Sequence, residues 1–320
     1  MTKNLYFTSH GVRCGATHVP ARSDALTGPS GRPCVVMAHG FCGTRDSGLL
    51  SYAEEFATAG IEVLTFDYRG FGDSHGEPRQ DIAVRRQRQD YHAAAAVARH
   101  LPAVDAGRIA LWGYSYAGGH VMAVAAQNPA IAAIVALNPA TDGRATLAHI
   151  ARRRGGVAQL ARLTAHGLLD AVSSRLGRGP HYLPAVGEPG TTALVTSPGA
   201  AQAFANVAGP TWRNEIAART ALEVGFNRPT TFAGRLACPM LMQVGTDDDI
   251  APPAAARRTA EKAGRLAHLC EYPIGHVEAF DGGRWQQRVR DDQLMFLSRV
   301  LDPSRAGDAH LRARADLSAR

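Results

Sequence analysis

A serine in a tight turn of small residues is the group in this chain best suited to covalent chemistry. Ser115 lies in the run Gly-Tyr-Ser-Tyr-Ala-Gly, residues 113–118, between a strand-like apolar run and a helical stretch. The small residues Gly113 and Ala117 permit the sharp strand-to-helix turn that exposes a nucleophilic serine above a sheet edge. The pattern predicts that Ser115 forms an acyl-enzyme, the alternative being a serine that only caps the helix.

A serine hydroxyl is a weak nucleophile at neutral pH and needs a positioned base. The chain has thirteen histidines, and we expect His276 to be the base. It follows the last predicted strand, so it lies at the sheet edge towards which Ser115 points. The chain order Ser, then Asp or Glu, then His is the order expected for this kind of turn.

The acid that orients the base is harder to assign, because three aspartates are consecutive in the loop 245–252, Gly-Thr-Asp-Asp-Asp-Ile-Ala-Pro. A glycine three residues before and a proline four residues after favour Asp248. Asp247 and Asp249 stay open, and so does Asp142, which follows the predicted strand 131–137. The role of the acid is to fix the imidazole tautomer and to stabilise the imidazolium, without taking the proton itself.

Backbone amides are predicted to bind the oxyanion that forms when Ser115 attacks a carbonyl. We expect one donor to be the amide of Tyr116, directly after the nucleophile, and the other to be the amide of Phe41, in the loop after the predicted strand 33–38. Three further side chains are candidates for the substrate pocket: Tyr114, Cys42 and Trp212.

The loop 67–74, Asp-Tyr-Arg-Gly-Phe-Gly-Asp-Ser, also carries charged groups that could be mistaken for catalytic ones. We expect Arg69 and Asp73 to be structural. They are predicted to pair locally and so to hold this loop beneath the active site.

Apolar runs alternate with helical stretches in the parts of the chain that carry these motifs, which indicates βαβ units and a mostly parallel sheet. The apolar runs are continuous, as is typical of strands buried on both faces. The predicted strands are 33–38, 61–66, 108–112, 131–137, 239–244 and 267–272, and the predicted helices are 51–59, 80–100, 116–127, 252–263 and 283–301.

The alternation stops after residue 140 and resumes near residue 238, which predicts an insertion. We expect residues 1–140 and 233–301 to form the two parts of an α/β core. Residues 141–232 would be a cap or lid, with helical pieces at 145–150, 157–172 and 212–222. The polar tail 302–320 is expected to be mobile.

The composition argues against several other classes of protein. The 320 residues carry a formal net charge of +7 and are 45% hydrophobic, the balance of a soluble globular chain. The arginines are scattered and are not interleaved with aromatics, so we expect no nucleic-acid partner. We also expect no membrane span, no signal peptide, a cytoplasmic location, and no disulfide framework or zinc site among the five cysteines.

Taken together, the motifs resemble those of the α/β-hydrolase superfamily in type and in chain order, from Leu5 to about Leu301. They are His-Gly-Phe at 39–41, Phe-Asp-Tyr-Arg-Gly-Phe-Gly at 66–72, the serine turn at 113–118, Asp248 and Gly-His at 275–276. The resemblance implies a mostly parallel eight-stranded sheet with helices on both faces and an inserted cap.

A narrower resemblance concerns residues 43–48, 76–80 and 182–190. These segments are similar to X-prolyl dipeptidyl-peptidase-like hydrolases, a subgroup that also resembles fungal polyketide transferases. The transferases move a polyketide acyl chain from a carrier protein to an alcohol.

The function expected from the sequence is that of a serine hydrolase cleaving an ester or thioester through a Ser-His-Asp triad. The alternative is an acyltransferase or thioesterase of natural-product biosynthesis that passes the acyl chain to an alcohol or amine. A third alternative is a catalytically silent member of the fold that acts as a binding scaffold, in which the triad would have no catalytic use. We expect a small-molecule acyl substrate, free or bound to a carrier protein, and neither a metal nor an organic cofactor. The sequence leaves the oligomeric state open, a dimer included.

Overall fold

A mostly parallel sheet lies at the centre of the structure, a computed structural model that describes residues 2–280, 282 and 284–305. Within these residues the sheet has eight strands, and a separate ribbon contains two more, β7 and β8. The strands are β1 (Lys3–Ser9), β2 (Val12–Val19), β3 (Arg32–Ala38), β4 (Glu62–Phe66), β5 (Val104–Tyr114), β6 (Ile131–Leu137), β7 (Tyr182–Leu183), β8 (Ile216–Ala217), β9 (Met240–Gly245) and β10 (Ala267–Tyr272).

The strand order is β1-β2-β4-β3-β5-β6-β9-β10. Because β3, β5, β9 and β10 run parallel, their carboxyl ends lie along the same edge of the sheet. The pairs β1–β2 and β2–β4 are antiparallel, and the other pairs of the main sheet are parallel. Every residue of β4 is buried, as expected of a strand in a sheet covered on both faces. The predicted eight-stranded, mostly parallel sheet is therefore confirmed.

Helices cover both faces of this sheet. One hydrophobic cluster includes side chains of α2, α3 and α8, and a second includes side chains of α1 and α9 on the opposite face. The helices are α1 (Leu49–Thr58), α2 (Val84–Ala98), α3 (Tyr116–Gln127), α4 (Gly143–Arg152), α5 (Gly156–Arg175), α6 (Ala200–Val207), α7 (Thr220–Glu223), α8 (Pro253–Ala263) and α9 (Arg284–Val300).

The segment 141–232 contains α4 to α7 and the β7–β8 ribbon, and it contributes no strand to the main sheet. We call it the cap segment; its boundaries remain a prediction. The mobile tail predicted for residues 302–320 lies, from residue 306 onwards, outside the described residues.

One helix predicted in the cap segment is wrong. Residues 212–222 contain the strand β8 and then the single turn α7, while the helix α6 at Ala200–Val207 was not predicted. The backbone of this segment pairs instead with distant parts of the chain. The Gln80 side-chain amide donates to the Glu215 carbonyl at 3.0 Å, the Ala217 amide donates to the Gln80 carbonyl at 2.8 Å, and the Ala218 amide donates to the His181 carbonyl at 2.9 Å. These backbone groups are therefore not available for the bonds of a helix.

No helix among the described residues combines the length and the apolar character needed to cross a membrane. No group of three or more His, Cys, Asp and Glu side chains is placed there so that it could hold a metal ion.

Candidate active site

Ser115 lies between the end of β5 and the start of α3, in a backbone conformation that L-residues rarely adopt. Its φ is 56° and its ψ is −113°. The turn is tight: a Cβ added at Gly113 would come within 2.3 Å of the Ala117 carbonyl oxygen, so only glycine fits there. The Ser115 amide donates to Leu137 O and its carbonyl accepts from Ala140. These backbone bonds hold the strained turn in place.

A continuous hydrogen-bonded path runs from Ser115 to a carboxylate. His276 Nε2 lies 2.8 Å from Ser115 Oγ, and His276 Nδ1 lies 2.6 Å from Asp248 Oδ2. The other carboxylate oxygen of Asp248 accepts the amides of Ile250 and Ala251, each at 2.8 Å. Because a carboxylate only accepts, Nδ1 carries the imidazole proton and Nε2 is free to accept the serine proton.

The alternative acids lie elsewhere. Asp247 is exposed, and the Asp249 side chain is 49% exposed and faces Arg153. Asp142 caps the N-terminus of α4 and pairs with Arg228 at 3.0 Å. Of the four aspartates considered from the sequence, the structure brings only Asp248 to His276.

Two side chains bind the backbone of the loop that carries His276, and one of them was not identified from the sequence. The Tyr114 hydroxyl and the Asn138 amide nitrogen both donate to the His276 carbonyl, at 2.9 and 2.8 Å. Asn138 also accepts the Gly245 amide at 2.7 Å. Asn138 thus links the end of β9, which precedes Asp248, to the loop that carries His276. Its signal in the sequence is an Asn-Pro pair directly after the strand β6.

The loop after β3 lies close to Ser115, as the predicted oxyanion donor at Phe41 requires. A Cβ at Gly40 would lie 2.9 Å from Ser115 Cβ. The Phe41 and Tyr116 rings meet edge to face with centroids 5.8 Å apart, and both residues line the same cavity as Ser115. Tyr116 is the first residue of α3, where a backbone amide has no acceptor within the helix.

His39 fixes the peptide that carries the Phe41 amide. Its Nδ1 lies 2.9 Å from the Gly40 carbonyl oxygen, which belongs to the same peptide group as the Phe41 N–H. Burial lowers the pKa of His39 to about 4, so the ring is neutral near pH 7 and donates through one nitrogen. This contact orients the peptide between Gly40 and Phe41, and it was not foreseen from the sequence.

A cavity of about 540 Å³ opens from Ser115 and His276 towards the cap segment. That volume is in the range of small-molecule sites. Most of its wall is apolar and comes from α4, α5, α6 and the loop before α6, with Leu147, Ile150, Leu160, Leu163, Leu194 and Phe204. The arrangement offers an acyl chain a place beside the nucleophile.

The three pocket residues expected from the sequence do not line this cavity. Tyr114 and Trp212 line a second cavity of about 30 Å³, which Ser115 and Phe41 also line, so contact of these two residues with a substrate stays a prediction. Cys42 is buried and lines neither, and burial raises the pKa of its thiol to about 12. The hydrogen bonds of Thr211 to Asp46 hold the neighbouring Trp212 next to the loop after β3.

Arg69 and Asp73 do not pair with each other, which corrects another expectation. Arg69 pairs with Asp90 at 2.6 Å, and Asp73 pairs with Arg45 at 2.6 Å. Arg45 also binds the buried Asp67, so it links the loops that follow β3 and β4. The pairing partner of each residue therefore comes from a segment distant in the chain.

Known proteins share this architecture. The family model Hydrolase_4, serine aminopeptidase S33, matches residues 29–276. The quorum-quenching protein AidA of Acinetobacter baumannii is 34% identical over 93% of this chain and 95% of its own. Polyketide transferase GrgF of a Penicillium species is 35% identical over 50% of this chain and 51% of its own.

Solved structures agree with the sequence relatives. The crystal structure of the α/β hydrolase GrgF from Penicillium sp. sh18 superposes with a TM-score of 0.77 at 25% identity, over 94% of this chain and 99% of that one. The resemblance inferred from the motifs is thereby confirmed. The chain belongs to the Hydrolase_4 family, serine aminopeptidase S33, and is an enzyme of the serine hydrolase class with an α/β-hydrolase fold.

Proposed function

We propose that this enzyme hydrolyses esters or thioesters of apolar acyl groups through an acyl-enzyme on Ser115. The observation that carries the proposal is the path Asp248–His276–Ser115, which ends at the apolar cavity. An aspartate, an imidazole and a serine hydroxyl in this order are the parts that acyl transfer to a serine requires.

Each group then has one task in the reaction. His276 Nε2 takes the proton of Ser115 as Oγ attacks the carbonyl carbon, and Asp248 stabilises the imidazolium. The amides of Phe41 and Tyr116 donate to the oxyanion, and one such donor typically contributes about 10²- to 10³-fold in rate. His276 returns its proton to the leaving alcohol or thiol. It then activates a water molecule that attacks the acyl carbon and frees Ser115.

We further propose that residues 141–232 act as the cap that selects the acyl group. Burying one methylene is worth about 0.8 kcal/mol, which is close to fourfold in kcat/KM. On p-nitrophenyl esters from acetate to dodecanoate, we expect kcat/KM to rise about fourfold per methylene until the cavity is filled. Steady-state rates measure this directly, and an enzyme that prefers acetate would contradict an apolar acyl site.

A matched pair of variants on α5 tests whether the large cavity sets the chain length. Leu163 lines the cavity and is buried, whereas Leu169 on the same helix is 54% exposed and does not line it. Leu163→Phe should move the optimum to shorter chains, because the larger ring occupies cavity volume. Leu169→Phe should leave the optimum where it is. An identical shift in both variants would show that the acyl group lies elsewhere.

Acyl transfer to an alcohol is the second candidate, because several relatives carry the name of a transferase. Among them are polyketide transferases and a thiohydrolase, which match about half or less of this chain. The same acyl-enzyme serves both reactions, with an acyl group delivered free or on a carrier protein. They differ only in the acceptor that reaches Ser115.

The two reactions are separated by their products. With an excess of a small alcohol, a hydrolase should release mainly the free acid. A transferase should release mainly the new ester, at an unchanged rate of p-nitrophenol release if acylation is rate-limiting. Chromatography of the products measures the partition. We expect the free acid to dominate, and a product mixture that is mostly ester would replace hydrolysis by transfer.

A further inference from the structure

One helix of the cap segment turns an apolar side towards solvent. The buried residues of α5 are Gly156, Leu163, Gly167 and Asp170, all on its inner side. A helix with one buried side normally carries polar residues on the other. The other side of α5 is instead exposed and apolar along its whole length, and we call it the outer face of α5: Val157, Ala158, Ala161, Ala165, Leu168, Leu169, Val172 and Leu176.

The outer face of α5 has the area of an interaction surface. Its five larger residues are each 51 to 68% exposed: Val157, Leu168, Leu169, Val172 and Leu176. Together with the three alanines they present on the order of 600 Å² on one copy, so two copies that paired through them would bury about 1,200 Å², the lower end of the range for specific interfaces. An exposed apolar patch of this size marks an interaction site.

The sizes of the side chains along the outer face fit a second copy of the same helix running antiparallel. The first half of the face carries alanines and the second half carries leucines and a valine. With a two-fold axis between Ala165 and Leu168, Ala165 of one copy lies opposite Leu168 of the other, and Ala161 lies opposite Val172. Each large side chain then meets a small one, which lets the two surfaces interdigitate. A parallel pair would set leucine against leucine and leave gaps between the alanines.

The charges beside the outer face also fit the antiparallel pair. Arg162 and Arg175 flank the face and are both exposed. Across the same two-fold axis, Arg162 lies opposite Ala171 and Arg175 lies opposite Ala158, so no arginine faces an arginine of the other copy. In a parallel pair each arginine would lie beside its own equivalent, and such like-charge contacts oppose association.

A membrane surface is a poorer match for the outer face. Helices that lie in a membrane interface carry bulky Trp, Phe or Leu side chains on their apolar side. In the first half of the outer face, Val157 is the only residue larger than alanine, so this half would gain little from contact with lipid. A partner with complementary large side chains fits these alanines better.

We propose that the outer face of α5 is the interface of a homodimer in which two α5 helices pack antiparallel across a two-fold axis. On its inner side the same helix lines the large cavity with Leu160 and Leu163. The interface therefore joins the cap segments of the two copies beside their large cavities. This inference does not rest on the proposed function, because its tests measure mass and cross-linking.

Sedimentation equilibrium of the full chain over a range of concentrations tests the dimer. We expect a dimer that dissociates on dilution with a Kd on the order of micromolar, because the interface is at the small end of the range. Leu168→Glu places a charge near the middle of both helices and should raise the Kd at least about a hundredfold. A wild type that is monomeric throughout, or an unchanged Kd in Leu168→Glu, would overturn the proposal.

Met295→Glu is the matched control for the introduced charge. Met295 lies on α9, outside the cap segment, and is 66% exposed. The same change of an exposed apolar residue should leave the Kd as in the wild type. Far-UV circular dichroism shows whether both variants are folded. An equal rise of the Kd in Met295→Glu and Leu168→Glu would show that the outer face is not the interface.

Single cysteines distinguish the antiparallel pair from a parallel one. When Ala161→Cys and Val172→Cys are mixed and oxidised, a disulfide should join the two different variants. Neither variant should cross-link alone, because the equivalent residues of the two copies are about 16 Å apart along the helix axis at 1.5 Å per residue, and a disulfide needs Cα atoms within about 7 Å. The wild type, whose own cysteines are free, provides the blank. Cross-linking of each variant with itself would contradict the antiparallel arrangement.

Vesicles of phosphatidylcholine and phosphatidylserine in equal parts test the alternative occupant. The wild type should stay in the supernatant when the vesicles are sedimented. If the wild type sediments with them and Leu168→Glu does not, the outer face docks on a membrane and the dimer proposal fails. The hydrolase proposal is unaffected by either result, since cleavage of esters is measured separately.

Discussion

Replacing Ser115 by alanine should lower kcat/KM on the best p-nitrophenyl ester by at least about 10⁴-fold and abolish covalent labelling by a fluorophosphonate. The reason is that no other hydroxyl is hydrogen-bonded to His276 Nε2 within the described residues. Alanine also keeps the turn, because Ser115 contributes its amide and carbonyl to the backbone bonds there. The variant should therefore fold and bind substrate while losing the covalent step.

The double variant with His276→Ala sharpens this prediction. Nucleophile and base act as one unit, so the double variant should be scarcely less active than either single variant. Ser51→Ala provides the control, because Ser51 is exposed on α1 and only its own helix turn uses its hydroxyl. Labelling that survives in Ser115→Ala, or losses that add fully in the double variant, would mean that the nucleophile is another residue.

Local sequence patterns were enough to predict the turn at Ser115 and the position of His276 beside it. The turn around Ser115 is dictated by residues within a few positions of it, such as Gly113, and the helix at 116–127 and the strand at 131–137 begin and end at the predicted residues. His276 follows the last strand of a parallel sheet, and such a sheet brings its strand ends to one edge whatever the lengths of the intervening helices.

What the sequence could not show depends on contacts between distant segments. The pairing of Asp73 with Arg45, and the attachment of Thr211 to Asp46, set the positions of loops that local patterns leave free. The same holds for Asn138, whose amide joins two loops far apart in the chain. The cap segment is irregular, so its side of the cavity was the part least accessible to prediction.

The assignment of the acid shows the same limit at the scale of one residue. Three consecutive aspartates have the same chemistry, and only the course of the loop decides which of them turns inwards. In the structure the amides of Ile250 and Ala251 bind Asp248 Oδ1 and leave Oδ2 for His276. The loop thus selects Asp248 through its own backbone.

Asp248→Asn should lower kcat by about 10³- to 10⁴-fold, the scale of such a change in other triads. The asparagine has the same shape, and its carbonyl oxygen can still accept the amides of Ile250 and Ala251. Its amide nitrogen then faces His276 Nδ1 and donates to it. This forces the imidazole proton onto Nε2, which can no longer accept the proton of Ser115. Steady-state kinetics and the rate of fluorophosphonate labelling both report the loss.

The neighbouring aspartates make this prediction specific. Asp247→Asn changes an exposed carboxylate by the same chemical step and should leave kcat within a few-fold. Asp249→Asn should cost far less than Asp248→Asn, because Asp249 makes its ion pair with Arg153 and not with His276. Thermal unfolding of the three variants shows whether a loss of activity comes from the changed tautomer of His276 or from loss of the folded structure. If Asp247→Asn or Asp249→Asn proves the most damaging, the acid was assigned to the wrong residue, and the loop must rearrange when substrate binds.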